Sequence, residues 1–161
     1  MFHHLLLYST FIIYNYICIF ERIKKLAIDE EIDMLIVGPE DPLVNGIFDF
    51  FNETEDLKHI TVIGPSKQGA RLEGSKEFAK EFMQNNNIPT AAYQGFTDAA
   101  SAKAYVDEQG APIVIKADGL AAGKGVIVAE TTEQAHVAID DMLADNKFGD
   151  AGSRVVIEQF L

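Results

Sequence analysis

The sequence predicts an α/β protein in two parts: a partial parallel βαβ unit, followed by an α+β unit of antiparallel strands and two helices. Two apolar, β-branched runs at 33–37 and 60–63 indicate strands, and a helical pattern lies between them. The order strand, helix, strand is typical of a parallel βαβ unit. Two further runs, at 114–116 and 126–128, enclose a glycine-rich loop, and helical patterns lie on either side of that pair.

The composition limits the possible functions. The 161 residues suffice for one ordinary domain or two small ones, and the hydrophobic content of 48% is that of a globular chain. The net charge of −12 argues against general nucleic-acid binding, which needs a basic face. A nucleotide remains compatible with this charge, because charges beyond about 8 Å are screened and nearby lysines decide phosphate binding. The single cysteine, Cys18, excludes an internal disulfide and a zinc site built from cysteines, and it fits a cytoplasmic protein.

The first 20 residues differ in texture from the rest of the chain. The stretch 5–20 is dense in Leu, Ile, Phe and Tyr, but Ser9, Thr10 and Asn15 interrupt it, and it is slightly short for a membrane span. The positive start and small-residue cleavage site of a signal peptide are not found in it. A marginal membrane anchor, a buried strand or helix, and sequence foreign to the fold all fit, and we favour the last.

The βαβ unit is predicted to begin with a helix. Its apolar positions recur among charges at Ile23, Leu26 and Ala27. After the strand at 33–37, Asp41 can cap a helix whose first residue is Pro42. The apolar stripe of that helix would consist of Leu43, Val44, Ile47, Phe48 and Phe51.

A Gly-Pro turn follows each of the two predicted strands. In open α/β sheets, ligands bind at the carboxyl ends of the strands. For Gly64 and Pro65 we prefer a purely structural role, in which the turn simply ends the strand. Gly38 and Pro39 precede Glu40, and a carboxylate beside a rigid turn at this edge predicts a substrate contact.

A third helix is predicted over 75–85. Its buried stripe would consist of Phe78, Ala79, Phe82 and Met83. Lys76 and Lys80 are four residues apart and share a face, which two neighbouring glutamates would balance as a solvated surface. The asparagine-rich stretch 85–89 predicts a linker and a domain boundary.

The remaining α+β unit begins with a strand at 92–96. Asp98 is placed to cap the next helix, and Gly110 to end it. Thr131 and Gln134 fit a capping box for a further helix that runs to about residue 144. The buried side of this last helix would consist of Ala135, Ile139, Met142 and Leu143, and a strand is predicted at 154–158.

The loop between the strands at 114–116 and 126–128 combines glycines with lysines. Glycine lets backbone N–H groups approach a ligand, and lysine supplies a mobile charge for phosphate. The spacing of the glycines is one residue too short for a Walker A loop, and a strand rather than a helix follows, which excludes the dinucleotide fingerprint. A plain hairpin turn would need only the glycines. Lys116 and Lys124 therefore favour a flexible cover over a polyphosphate.

Four stretches together carry a family resemblance. They are VGPEDPL at 37–43, LEGSKEFAK at 72–80, KADGLAAGKGV at 116–126 and VVIEQFL at 155–161. From about residue 21 to its end, the chain resembles the phosphoribosylamine–glycine ligase family of ATP-grasp enzymes in purine biosynthesis. The resemblance implies that ATP phosphorylates the carboxylate of glycine, and that the amine of 5-phosphoribosylamine attacks the acyl phosphate. It also implies that ATP is gripped between two α+β lobes, of which the second predicted unit would be the lid, and that Mg²⁺ bridges the phosphates.

The resemblance further implies roles for individual residues. Lys76 and Lys116 correspond to lysines that contact the phosphates. The stretch 119–125 corresponds to a mobile loop that closes over them. The stretch 158–161 corresponds to a hinge segment that holds adenine through backbone groups and the ribose through a carboxylate. The nucleotide-binding residues predicted in this way are Lys76, Lys116, Gly119, Ala122, Gly123, Lys124, Gly125, Glu158, Phe160 and Leu161. The predicted substrate contacts, facing phosphoribosylamine, are Gly38, Pro39 and Glu40. No catalytic group and no metal ligand is assigned in this chain.

The chain also departs from the family pattern. The family begins with a strand and a glycine-rich turn, whereas residues 1–20 of this chain contain no glycine. The family pattern also continues well past the position of Leu161, with the second lobe and the ligands for Mg²⁺. We therefore expect an internal fragment with a foreign start at 1–20, a partial amino-terminal domain at 21–73, a helix and linker at 74–90 and a truncated lid at 91–161.

For the isolated chain we expect weak or absent nucleotide binding and no turnover. Its expected partners are the small molecules glycine and 5-phosphoribosylamine, rather than nucleic acid or a membrane. Two alternatives are a non-catalytic nucleotide-binding module and another ATP-grasp enzyme, such as a carboxylase. The sequence at 116–126 argues against the second alternative.

Overall fold

The chain forms two compact units. The computed structural model describes residues 4–6, 16–121, 123–145, 147 and 149–161. The first unit is Met1–Arg71 and the second is Leu72–Leu161. The stretch 85–89, expected to be a domain boundary, lies within the second unit.

The first unit contains a parallel sheet of three strands. They are β1 (His4–Leu6), β2 (Met34–Ile36) and β3 (Thr61–Ile63), in the spatial order β1-β2-β3. The helices are α1 (Tyr16–Asp29), α2 (Glu40–Asn45), α3 (Ile47–Glu53) and α4 (Lys67–Gly74), whose last three residues belong to the second unit, with a 3₁₀ turn at Glu55–Leu57. The parallel pairing of β2 with β3 confirms the predicted βαβ unit, whereas α4 was not predicted.

The start of the chain supplies two elements of the first unit, while its expected foreign origin stays a prediction. The helix α1 begins at Tyr16, within the segment 1–20, and Phe20 is buried in the core of the first unit. The strand β1 pairs in parallel with β2. The rest of the segment, at 1–3 and 7–15, lies outside the described residues.

The segment for which a membrane anchor was one interpretation, 5–20, lies largely outside the described residues. Within the residues that the structure describes, no helix is long and apolar enough to cross a membrane.

The predicted helix after β2 is divided into two. The helix α2 starts at Glu40 with Pro39 as its N-cap and no side-chain cap bond, so the predicted cap at Asp41 is wrong. Gly46 adopts φ of 97°, which ends α2 and starts α3. The predicted apolar stripe still reaches the core, because Ile47 and Phe51 are almost fully buried.

The second unit contains an antiparallel sheet of four strands. They are β4 (Tyr93–Phe96), β5 (Ile113–Ala117), β6 (Val126–Ala129) and β7 (Val155–Gln159), in the order β4-β7-β5-β6. The helices are α5 (Lys76–Asn85), α6 (Ala99–Gln109) and α7 (Thr132–Ile139), followed by a π-helical turn at Asp140–Ala144 and a 3₁₀ turn at Gly149–Gly152. The predicted combination of antiparallel strands and helices is confirmed.

The helix caps of the second unit follow the sequence pattern. Asp98 accepts a hydrogen bond from the Ser101 N–H at 2.9 Å, and Thr131 accepts one from the Gln134 N–H at 3.3 Å. The Gln134 amide oxygen accepts the N–H of Glu130 at 2.9 Å, one residue before the donor that a capping box would use. These local bonds explain why both helix starts were predictable.

The two faces of the second sheet have different environments. Alternate residues of a strand point to opposite faces. Ile115 of β5 and Ile157 of β7 are paired in register and belong to the core that includes α6 and α7. Lys116 and Glu158 come next along their strands and therefore face the other way. This second face carries the charged residues of the predicted site.

The core on α7 can be tested with a pair of truncations. Ile139 is fully buried, whereas Val137 on the same helix is 61% exposed. Replacing Ile139 with Ala should lower the free energy of unfolding by about 2–5 kcal/mol, because it removes buried methyl groups and leaves a cavity. The matched Val137→Ala change should alter it by less than about 0.5 kcal/mol. Urea unfolding of both variants measures the difference, and equal losses would contradict this core assignment.

Candidate functional site

A buried carboxylate lies at the centre of the candidate site. Glu158 of β7 is only 6% exposed. One of its oxygens lies 2.7 Å from the ammonium nitrogen of Lys116 on β5, and the other lies 2.8 Å from that of Lys80 on α5. A buried charge needs a close partner, and this carboxylate has two. The three residues tie two neighbouring strands to one helix.

Lys80 is the more deeply buried of the two lysines. It is 7% exposed, and its ammonium group donates to the Thr90 hydroxyl at 2.8 Å and to the Ala91 carbonyl at 3.3 Å. It also lies 5.8 Å from the centre of the Tyr93 ring. The prediction that Lys80 belongs to a solvated face is therefore wrong.

The orientation of α5 follows from the burial of Lys80. Phe82 was predicted to be in the buried stripe of this helix but is 41% exposed. Lys80 lies on the same face of the helix as Lys76, four residues earlier. This shared face was a sequence signal that Lys80 belongs to the site, although periodicity alone favours a solvated surface for two lysines.

Lys76 begins α5 next to the base of the glycine loop. Its ammonium group donates to the carbonyls of Asp118 at 3.3 Å and Gly119 at 3.1 Å. Burial lowers the pKa of Lys76 below its usual value; the Asp118 carboxylate opposes this change, and the positive charge of Lys116 adds to it. Lys76 and Lys116 are therefore close enough to influence each other electrostatically.

Asp118 joins the glycine loop to the start of α5. Its carboxylate accepts the backbone N–H of Glu77 at 2.8 Å and the hydroxyl of Ser75 at 3.1 Å. Its own N–H donates to the carbonyl of Arg154 at 3.0 Å. A carboxylate is favourable at a helix N-terminus, where unpaired N–H groups converge. Sequence reasoning assigned no role to Asp118, although it stands between two predicted site residues in KADG.

The loop is crowded at its base and open at its tip. A Cβ atom on Gly119 would lie 2.8 Å from the backbone of Ala151, and one on Gly125 would lie 2.6 Å from the Cβ of Ala121. Gly123 has φ of +76° and no atom within 4 Å of such a Cβ. Gly119 and Gly125 are thus required by packing, and Gly123 by its backbone conformation.

The structure brings Lys76, Lys116, Gly119 and Glu158 together, and it adds Lys80 and Asp118, which were not predicted. Several other predicted residues lie farther along the loop or strand. Lys124 is exposed, Phe160 and Leu161 are 45% and 86% exposed after β7, and Ala122 lies outside the described residues.

The predicted substrate contacts belong to the first unit. Gly38 and Glu40 are exposed, and Pro39 is half-buried as the N-cap of α2. An exposed carboxylate at the start of a helix is accessible to a solute, so the predicted substrate contact at Glu40 stays a prediction.

The charges of the site suit an anion. Two ammonium groups share the single carboxylate of Glu158, so one positive charge is in excess, and Lys76 lies nearby. An ammonium group binds phosphate as a mobile point charge. Among the residues that the structure describes, no group of three or more His, Cys, Asp or Glu side chains is placed to hold a metal ion.

Comparison with family models covers both units. The model for the phosphoribosylglycinamide synthetase N domain matches residues 12–73, and the model for the ATP-grasp (A) domain of the same synthetase matches residues 74–161.

Curated relatives match most of the chain. It is 59% identical over 141 residues to the phosphoribosylamine–glycine ligase of Ralstonia nicotianae, which covers 88% of this chain and 32% of the relative. It is 55% identical to the ligase of that name from Pseudomonas putida, covering 90% of this chain and 32% of the relative. The chain therefore spans about a third of the length of the curated relatives that it matches.

Solved structures share the fold. The phosphoribosylamine–glycine ligase of Thermotoga maritima superposes with a TM-score of 0.59 at 37% identity, over 63% of this chain and 26% of that one. The biotin carboxylase domain of the Hydrogenobacter thermophilus 2-oxoglutarate carboxylase, solved with MgADP, superposes with a TM-score of 0.69 at 27% identity, over 88% and 31% of the two chains.

The lowered pKa of Lys76 predicts an early onset of reactivity as the pH rises. An amine reacts with an acylating reagent only when it is unprotonated, so Lys76 should reach half of its maximal labelling rate at a lower pH than Lys147, whose pKa is raised by its hydrogen bond to Asp141. Mass spectrometry after brief labelling from pH 7 to 11 follows both residues, and the rise of Lys76 should come at lower pH. Because each residue is normalised to its own labelling at pH 11, the difference in exposure cancels. A higher midpoint for Lys76 would contradict the assigned environment.

Proposed function

Because the chain belongs to the phosphoribosylglycinamide synthetase family, we propose that its second unit binds the phosphates of ATP in a ligase that joins glycine to 5-phosphoribosylamine. The proposal is supported by identities of 55–59% to phosphoribosylamine–glycine ligases. The reaction of the whole protein, its substrates and a cytoplasmic location are all parts of this proposal, since the chain covers about a third of those relatives.

One observation carries the assignment of the phosphate site: Lys80 and Lys116 share the buried carboxylate of Glu158, and Lys76 donates to two carbonyls at the base of the glycine loop beside them. Lys76 and Lys116 are the more accessible of the three, and both match the predicted phosphate contacts. At about 4 Å and an effective dielectric constant near 20, each ammonium–phosphate pair gains roughly 4 kcal/mol. This local attraction exceeds the screened repulsion of the acidic surface.

In the proposed reaction an oxygen of the glycine carboxylate attacks the γ-phosphorus of ATP, and the bond to the β,γ-bridging oxygen breaks to release ADP. The nitrogen of 5-phosphoribosylamine then attacks the carbonyl carbon of the glycyl phosphate. Phosphate leaves with the bonding electron pair, and the amine loses a proton to solvent. The lysine ammonium groups would balance the charge on the transferred phosphoryl group. The loop 119–125 would exclude water and so protect the acyl phosphate from hydrolysis.

The adenine ring would lie on the charged face of the second sheet. Val126 and Val128 of β6 are 45% and 46% exposed, and they pair in register with Lys116 and Val114 of β5. Exposed apolar side chains beside a phosphate-binding lysine suit a purine ring. We assign Glu158 to holding the lysines rather than the ribose, because both of its oxygens already contact ammonium groups.

Membership of the ATP-grasp family implies Mg²⁺ together with ATP. Among the described residues, no cluster of metal-binding side chains is placed to hold such an ion.

A chimera tests the function of the chain in a complete enzyme. Residues 21–161 replace the matching segment of the Ralstonia nicotianae ligase, and ADP release is measured with ATP, glycine and 5-phosphoribosylamine. We expect glycine-dependent release. Lys116→Met should lower kcat/KM for ATP by about 100-fold, because a charged contact to the transferred phosphoryl group is lost.

Lys103 of α6 provides the matched control. It pairs with Asp140 at 2.7 Å on the opposite side of the sheet core, so Lys103→Met should leave kcat/KM unchanged. ADP release that does not depend on glycine would favour the alternative of a module outside this ligase reaction. A chimera carrying Lys116→Met that works at the unsubstituted rate would overturn the phosphate assignment.

A further inference from the structure

The two lysines that share Glu158 are held very differently. The side chain of Lys80 is 8% exposed and that of Lys116 is 26% exposed. Lys80 has two further hydrogen-bond acceptors, the Thr90 hydroxyl and the Ala91 carbonyl, as well as the Tyr93 ring. These groups come from the segment before β4 and from β4 itself, so Lys80 is fixed on the inner side of the carboxylate. Lys116 approaches the carboxylate from the more open side.

This asymmetry bears on how a phosphate could reach Lys116. A buried carboxylate without a partner is strongly unfavourable. If Lys116 were the only partner of Glu158, moving its ammonium group to a phosphate oxygen would leave that carboxylate unpaired. Because Lys80 remains bonded to the other oxygen, the carboxylate keeps one partner throughout such a move.

We infer that Lys80 is a positioning residue: it holds Glu158 from the buried side, so that Lys116 can exchange this carboxylate for a phosphate oxygen of the nucleotide. The inference rests on the proposed function for its last step, the contact with phosphate. Its first step, the hold on Glu158, belongs to the chain without any nucleotide. Lys80 itself touches no phosphate in this arrangement.

The charge count leads to the same conclusion. With Lys80 present, two ammonium groups face one carboxylate, and the cluster carries one excess positive charge. Without Lys80, the charges of Lys116 and Glu158 cancel, and they attract each other without competition. Lys116 is then held more tightly and is less available to an incoming anion.

Labelling of the 161-residue chain with an acylating reagent tests the hold on Glu158. Replacing Lys80 with Met keeps an unbranched side chain but removes the charge. We expect Lys116 to be labelled about fivefold more slowly in this variant, because its ion pair with Glu158 is no longer shared. A purely structural role for Lys80 predicts the opposite sign, since loosening the unit would expose Lys116 and speed its labelling.

Three variants support the interpretation of this result. Lys80→Arg keeps the charge and should restore the original labelling rate of Lys116. In a chain carrying Glu158→Gln, the additional change at Lys80 should no longer slow labelling, because the attracting carboxylate is gone. Lys103→Met is the matched control and should have no effect, since Lys103 pairs with Asp140 instead.

If Lys80→Met fails to fold, as judged by circular dichroism, Thr90→Val replaces it. This change removes one acceptor of Lys80 and leaves the charge in place, so a smaller slowing of Lys116 labelling is expected. Unchanged or faster labelling of Lys116 in the folded variant would overturn the inference.

A second arm uses millimolar ATP as the probe and the chimera with the Ralstonia nicotianae ligase as the protein, because the isolated chain is expected to bind nucleotide weakly or not at all. ATP should protect Lys116 from labelling in the unsubstituted chimera, and Lys80→Met should reduce that protection at least fivefold. Slowed labelling in the variant without any protection by ATP in the unsubstituted chimera would support the hold on Glu158 but overturn the phosphate site. The failure of the inference and the failure of the proposed function are thereby distinguished. Equal protection in both chimeras would overturn the exchange step.

Discussion

The second unit depends on the shared carboxylate of Glu158. Three elements meet there: β7 carries the carboxylate, β5 carries Lys116 and α5 carries Lys80. Removing one partner of a buried ion pair lowers the free energy of unfolding by about 3–5 kcal/mol, because the remaining buried charge is neither paired nor solvated. The carboxylate therefore sets the rotation of α5 on the sheet. That rotation also directs Lys76, one turn earlier on the helix, towards the loop.

The glycine loop combines a fixed base with an open tip. Asp118 bonds to the start of α5 and to the carbonyl of Arg154, so the base moves only if the helix moves. Gly119 and Gly125 are confined by their neighbours, whereas the surroundings of Gly123 are open. Both properties would suit the proposed cover over phosphates, because a mobile base would lose its alignment with the lysines and a rigid tip could not admit a ligand.

Local chemistry made much of the fold predictable, and tertiary contacts account for the rest. Asp98 and Thr131 cap their helices by accepting hydrogen bonds from residues three positions later, so the sequence alone identifies these helix starts. Lys80 gives no such local indication: its partners Thr90 and Glu158 are 10 and 78 positions away. Helical spacing places a lysine on a face of the helix but does not say whether that face is exposed to solvent. The wrong prediction for Phe82 has the same cause. With Lys80 assigned to the solvated face, the opposite face, which carries Phe82, was assigned to the core.

The proposed site would let an acidic protein bind a polyanion. A net charge of −12 repels extended anions such as nucleic acids, which contact many exposed positions at once. A triphosphate is small enough to lie within the range of a few charges. Burial shields Lys80 and Glu158 from salt, so the excess charge of their cluster with Lys116 is screened less than the surface carboxylates are. If the second unit binds ATP as proposed, the acidic surface would disfavour large anions while the lysine cluster attracted a small one.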